Sequence, residues 1–215
     1  MKYSTILFDL DGTLTDPKIG ITKSVQYALA KYGIHEDNLD KLEPFIGPPL
    51  VQSFMEFYSF TELEAKQAVD YYREYFSETG IFENERYEGI IELLDVLVRD
   101  GRTLIVATSK PTIYAKQIAD HFELSPYFDL VCGSNLDGTM TAKGEIIQSI
   151  MNEKKLDRRQ VVMVGDRKHD IIGAQLNKID SIGVGYGYGL EEELRGIGPT
   201  FYVESVIQLH KLLLG

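Results

Sequence analysis

At 215 residues, with 44% hydrophobic and 26% charged residues, the chain is long enough for one well-filled core plus a modest inserted module. It has no repeat or low-complexity tract that would point to a solenoid or to disorder. A formal charge of −11 argues against binding a nucleic-acid polymer, which takes clustered Lys and Arg. The absence of any apolar run of membrane-spanning length argues against a membrane partner.

In chain order, Tyr3–Phe8 is a short apolar run that reads as a strand, and its break at Asp9 is too early for a signal peptide, so a cytoplasmic location is expected. From about Thr15 to Arg86 the pattern reads as helix throughout. Gly20–Tyr32 is closed by Gly33, and Gly47-Pro48-Pro49 forces a rigid break before Leu50–Tyr58. Thr61, with Glu64 three residues on, reads as a capping box opening a helix to about Glu78, whose Tyr71, Tyr72, Tyr75 and Phe76 are expected to pack in a core. This stretch carries seven basic and thirteen acidic residues, yet Pro17–His35 holds three Lys and no acid. Lys18 and Lys23 therefore either form a solvated face or face a ligand.

Beyond it, Thr103–Thr108, Phe128–Cys132, Val161–Gly165, Ser181–Val184 and Thr200–Val203 read as strands. They alternate with helical patterns over Gly89–Arg99, Thr112–Phe122, Gly144–Glu153, His169–Leu176 and Ser205–Leu213, which predicts a parallel α/β sheet covered on both faces. Cys132, the only cysteine, reads as a buried structural thiol.

The chemistry concentrates at the ends of these strands. Asp9 and Asp11 stand two apart at the carboxyl end of the first strand, so both carboxylates can lie on one side while Leu10 points away. Asp9 can attack phosphorus, and Asp11 can protonate a leaving oxygen and later take a proton from water. Gly12 permits the tight turn that follows, although Asp-Gly alone is also a plain turn signal. Thr108 ends the second long strand and can donate to a phosphate oxygen, while Thr108, Ser109 or Thr112 could instead cap the next helix. Lys110, two residues on, either adds positive charge to the phosphate site or, the expected reading, lies in a solvent-facing loop. Lys143 precedes the Gly144–Glu153 helix, where the dipole disfavours a cation, which suits a lysine that binds a transferring phosphoryl group, the alternative being an exposed lysine that tolerates the small cost. In Gly165-Asp166-Arg167-Lys168-His169-Asp170, Asp166 would join Asp9 around Mg²⁺, a hard ion that prefers oxygen ligands, whereas Asp170 could bind the metal, hold one of its waters or cap a helix. The four His residues show no paired ligand spacing, and only His169 is kept as a residue near the metal.

Taken together, Asp9-Leu10-Asp11-Gly12-Thr13, Thr108, Lys143 and Gly165-Asp166 with Asp170, in that order, resemble the four motifs of the haloacid dehalogenase superfamily, in its phosphatase branch with a helical cap after the first motif. The resemblance implies a Rossmann-like doubly wound parallel sheet core, residues 1–14 and 87–215, with an inserted α-helical cap over 15–86. It implies an aspartyl-phosphate on Asp9, acid–base catalysis by Asp11, and Mg²⁺ held by Asp9, the Asp11 carbonyl and Asp166. The expected phosphate-binding residues are Gly12, Thr108, Ser109 and Lys143. The presence of Asp11 favours phosphoryl transfer over carbon–halogen cleavage. Gly47-Pro48-Pro49-Leu50 and Gly185-Tyr186-Gly187-Tyr188-Gly189 are similar to phosphoglycolate phosphatase-like proteins and, more narrowly, to bacterial 5′-nucleotidases, although the second segment also reads as a turn with packed tyrosines. The expected partner is a small phosphorylated metabolite, contacted from the cap by Lys18, Lys23, Gly47 or Pro48. A sugar phosphomutase would use the same aspartates, and a non-catalytic binding protein would be expected to have lost one of them.

Overall fold

A computed structural model describes residues 3–215. β1 (Thr5–Phe8) is buried along its whole length and has a parallel neighbour on each side, as an uninterrupted apolar run demands. Two short strands, β2 (Thr15–Asp16) and β3 (Glu85–Arg86), pair as a separate ribbon. The remaining strands are β4 (Thr103–Pro111), β5 (Leu130–Ser134), β6 (Val161–Gly165), β7 (Asp180–Val184) and β8 (Phe201–Val203). They join β1 in a six-stranded parallel sheet of order β5-β4-β1-β6-β7-β8, so the chain leaves the centre first toward one edge and then toward the other. This is the doubly wound α/β architecture expected.

The chain divides into two compact units, Met1–Asp16 with Arg86–Gly215, and Pro17–Glu85. In the first, Leu7, Ile105, Ala107 and Met163 pack under α6 (Lys143–Glu153) and α7 (Lys168–Asn177) through Ile146, Ile147, Ile150 and Ala174. Cys132 is half-buried against this cluster, and burial raises its thiol pKa. Alternate strand residues Ile6, Phe8, Leu104, Val106, Val162 and Val164 are equally buried and point to the opposite face. The other helices of this unit are α4 (Ile90–Arg99), α5 (Thr112–His121), α8 (Glu191–Ile197) and α9 (Val206–Leu214). No helix among the described residues is long and apolar enough to cross a membrane.

The second unit holds α1 (Lys18–Ala30), α2 (Leu50–Tyr58) and α3 (Glu62–Phe76), with α3 packed against both others. Gly33 adopts φ +71° just beyond α1, and Thr61 and Glu64 close the expected capping box. Tyr72 and Phe76 stack at 5.2 Å in its core, while Tyr71 and Tyr75 are half-buried. The helix-throughout expectation is corrected: Leu39–Phe45, tightened around Pro44, and Gly80–Phe82 are 3₁₀ segments, and the ends of the stretch are β2 and β3.

Candidate active site

The register of the sheet brings the site together. Phe8 lies opposite both Val106 and Val164, so Asp9, Thr108 and Asp166 all emerge at the same carboxyl edge of three adjacent strands. Asp9 continues the ladder by one bond, its N–H donating to Val164 O at 2.9 Å. The chain then folds sharply, with the Leu10 carbonyl accepting from the amides of Leu14 and Thr15 at 2.9 and 3.0 Å. Gly12, at φ +78°, completes this turn against Asp166, where any Cβ would overlap the Asp166 carboxylate. Leu10 is fully buried and points away, and Asp9 and Asp11 are buried at the site.

Each aspartate has its own lysine. Lys143 Nζ lies 2.8 Å from Asp9 Oδ1 and 2.8 Å from Asp170 Oδ1, and donates to the Ala107 carbonyl at 2.9 Å. Burial alone would lower the Lys143 pKa, but the Asp170 and Asp9 carboxylates outweigh it and hold the ammonium charged. Lys110 Nζ lies 2.8 and 2.7 Å from the two oxygens of Asp11. The expectation of a solvent-facing Lys110 is therefore overturned: its side chain is only 7% exposed. β4 runs three residues past Thr108 and shifts register against β5 between Ala107 and Pro111, and that irregular stretch turns Lys110 inward. Burial raises the Asp11 pKa, and Lys110 opposes the rise.

One oxygen from each of Asp9, Asp166 and Asp170 falls within 4.8 Å of the others, and all three residues are buried. Asp166 accepts from two neutral donors, the Tyr188 amide at 2.7 Å and the Thr13 hydroxyl at 3.4 Å. Burial first, then repulsion from Asp170 and Asp9, raises its pKa well above the carboxylate range. Three carboxylates facing one ammonium leave net negative charge out of water, and an all-oxygen set of this kind fits a hard divalent cation. Asp170 also accepts from the Arg167 amide at 3.0 Å, capping α7, so the capping alternative is realised beside its place in the metal-capable trio. Burial, with Lys168 and Arg167 nearby, lowers the pKa of His169.

Thr108 is buried, and its hydroxyl accepts from the Lys110 amide at 3.3 Å. It does not cap α5, which starts after Pro111 without a side-chain cap, and neither do Ser109 and Thr112. The Ser109 carbonyl accepts from the Ser134 hydroxyl at 2.8 Å, fixing the backbone beside Thr108. The segment Gly185–Gly189 is more than a turn. Tyr186 OH donates to the Thr13 carbonyl at 3.0 Å, Tyr188 OH bonds Asp16 Oδ1, and a Cβ at Gly187 or Gly189 would overlap Asp166. The alternating glycines were the one signal in the chain for this close backbone approach.

Lys18, Lys23, Gly47 and Pro48 all lie in the second unit. Lys18 pairs there with Asp40 at 2.7 Å and Glu43 at 2.5 Å, and Lys23 with Glu83 at 2.5 Å. Gly47, at φ +101°, and Pro48 form the bend before α2.

A family model described as haloacid dehalogenase-like hydrolase matches residues 6–184. A 5′-nucleotidase of Pseudomonas aeruginosa is 51% identical over 99% of this chain and 96% of its own length. The tyrosine-protein kinase PtkA of Mycobacterium tuberculosis is 35% identical over 86% of this chain, which spans 62% of that protein. A crystal structure of a predicted phosphatase from Clostridium acetobutylicum superposes with a TM-score of 0.97 at 50% identity, covering 100% of this chain and 99% of that one. With the family model spanning most of the chain and the ordered carboxylates and lysines at one sheet edge, the chain belongs to the haloacid dehalogenase-like hydrolase family and is one of its phosphatases.

Proposed function

We propose that the protein hydrolyses a small phosphomonoester with Mg²⁺, through an aspartyl-phosphate on Asp9. The observation that carries this reading is the pairing of Asp9 with Lys143 inside a trio of buried carboxylates. The Leu10 amide and Lys143 both hold Asp9 Oδ1, at 2.8 Å each, which fixes the plane of the attacking carboxylate. Attack forms the Asp9–phosphorus bond and breaks the ester P–O bond, and Asp11 gives its proton to the departing oxygen. Water then attacks phosphorus, Asp11 takes the water's proton, and phosphate leaves with Asp9 regenerated. Lys143, Thr108, Ser109 and the Gly12 turn would hold the phosphoryl oxygens. Mg²⁺ would be held by Asp9, Asp166, the Asp11 carbonyl and, directly or through water, Asp170, and when bound it supplies charge neutralisation for the phosphoryl group and the carboxylates.

We read residues 17–85 as the cap that selects the substrate. A nucleoside 5′-monophosphate leads and phosphoglycolate follows, because the 51%-identical relative is a 5′-nucleotidase. Lys18 and Lys23, each engaged with acids of their own unit, serve the cap's structure in this reading.

The test is phosphate release across nucleoside 5′-monophosphates, phosphoglycolate and sugar phosphates, with Mg²⁺ or with a chelator. Release that needs Mg²⁺, highest with a nucleotide, is expected. No release from any substrate, an isomerised sugar phosphate without free phosphate, or transfer from ATP to a protein tyrosine would each overturn it.

A further inference from the structure

Lys110 is the buried charge that the reading above leaves without a task. Its ammonium meets both oxygens of Asp11, at 2.8 and 2.7 Å, with the two side chains 7% and 8% exposed. A buried ion pair of this kind is a weak source of stability, since desolvating both charges offsets most of their attraction, so its presence asks for another reason.

The backbone around Lys110 is braced. The Lys110 amide donates to the Thr108 hydroxyl at 3.3 Å, and the Ser109 carbonyl is held by the Ser134 hydroxyl at 2.8 Å. β5 approaches so closely at Gly133 that a Cβ there would overlap the Lys110 carbonyl. The side chain therefore projects from a fixed irregularity of the strand that also carries Thr108. The two aspartates of the first motif are separated in charge environment by this arrangement: Lys143 holds Asp9, and Lys110 holds Asp11.

We infer that Lys110 is a positioning residue for Asp11, clamping its carboxylate in the orientation that delivers a proton to the leaving oxygen. The inference rests on the proposed role of Asp11 as acid and base. Its signature is a dependence on the leaving group. An alkyl ester must receive a proton as its P–O bond breaks, whereas p-nitrophenolate departs without one. General acid–base catalysis contributes roughly 10²–10⁴-fold, which bounds what misplacing Asp11 can cost.

The experiment compares wild type with Lys110→Met, with folding checked by circular dichroism and a thermal scan, in single turnover with Mg²⁺. The substrates are the best alkyl phosphate of the panel and p-nitrophenyl phosphate. For the alkyl ester, cleavage should slow by about 10²-fold or more with KM changed only a few-fold. The p-nitrophenolate burst should stay within about tenfold of wild type, followed by slow turnover because dephosphorylation also needs Asp11. In an Asp11→Asn background, Lys110→Met should add no further loss, because its effect runs through Asp11. Should Lys110→Met fail to fold, Lys110→Arg, which keeps the charge and alters the donor geometry, carries the same comparison. Equal losses with both substrates, no loss with either, or an additive loss in the Asp11→Asn background would overturn the inference. An inactive wild type would instead overturn the proposed function.

Discussion

Tyr188 and Asp166 meet through the backbone of one and the side chain of the other: the Tyr188 amide donates to Asp166 Oδ2 at 2.7 Å. That bond forms because Gly187, the residue before, lies so close to Asp166 and the Gly12 carbonyl that no Cβ fits. Gly187→Ala must move either the carboxylate or the loop. Partners that orient a metal ligand are worth about 10–100-fold in affinity, so the variant is expected to bind Mg²⁺ at least about tenfold more weakly. Calorimetric titration and the Mg²⁺-dependent rise in Tm check this, and wild-type values in both would remove Asp166 from the metal site.

Lys143→Met leaves Asp9 and Asp170 buried without their shared ammonium. Removing one partner of a buried pair costs about 3–5 kcal/mol, and urea unfolding in a chelator should show a loss of that order. The deficit should shrink when Mg²⁺ is added, since a divalent cation offsets the same repulsion. A variant as stable as wild type without metal would contradict the charge balance drawn for the site.

Tyr3 provides a pH dependence away from the site. Its hydroxyl donates to Asp180 Oδ2 at 2.6 Å, and burial, then the Asp180 carboxylate, raises its pKa far above the usual value of about 10. The unfolded chain loses this proton near pH ~10 while the folded protein keeps it, so the contribution is complete below that pH and falls as pH rises above it. Urea midpoints from pH 9 to 11 should decline, and Tyr3→Phe should decline less steeply. Part of the slope persists in the variant, because burial also raises Tyr87 and Tyr186. Parallel slopes for the two proteins would refute the assignment.

Thr61 tests the second unit by itself. Its hydroxyl accepts from the Glu64 amide at 3.3 Å, and its own amide donates to Glu64 Oε2 at 2.8 Å. Thr61→Ala should cost about 1 kcal/mol in chemical denaturation, and an unchanged midpoint would mean the cap contributes nothing to α3.

The parts of the fold legible in the sequence are those set by local pattern. Val161–Gly165 is a run of apolar residues ending in Gly-Asp, and it is β6 with the same bounds. Leu50–Tyr58 begins after two prolines and is α2. What the sequence could not disclose depends on residues far apart in the chain. The burial of Lys110 follows from the register of β4 against β5, and the hydroxyl partners of Tyr186 and Tyr188 lie 173 and 172 residues away. α8 escapes because its seven residues start with three glutamates and bury only Leu194, leaving no apolar stripe to detect.

The most direct measurement is to quench wild type in acid during turnover, digest it, and locate any phosphoryl group by mass spectrometry, alongside Asp9→Asn. The account predicts a phosphoryl increment on the peptide carrying Asp9, and in Asp9→Asn neither that increment nor more than trace phosphate release. Phosphate release retained by Asp9→Asn, or a phosphoryl group on another residue in wild type, would contradict it.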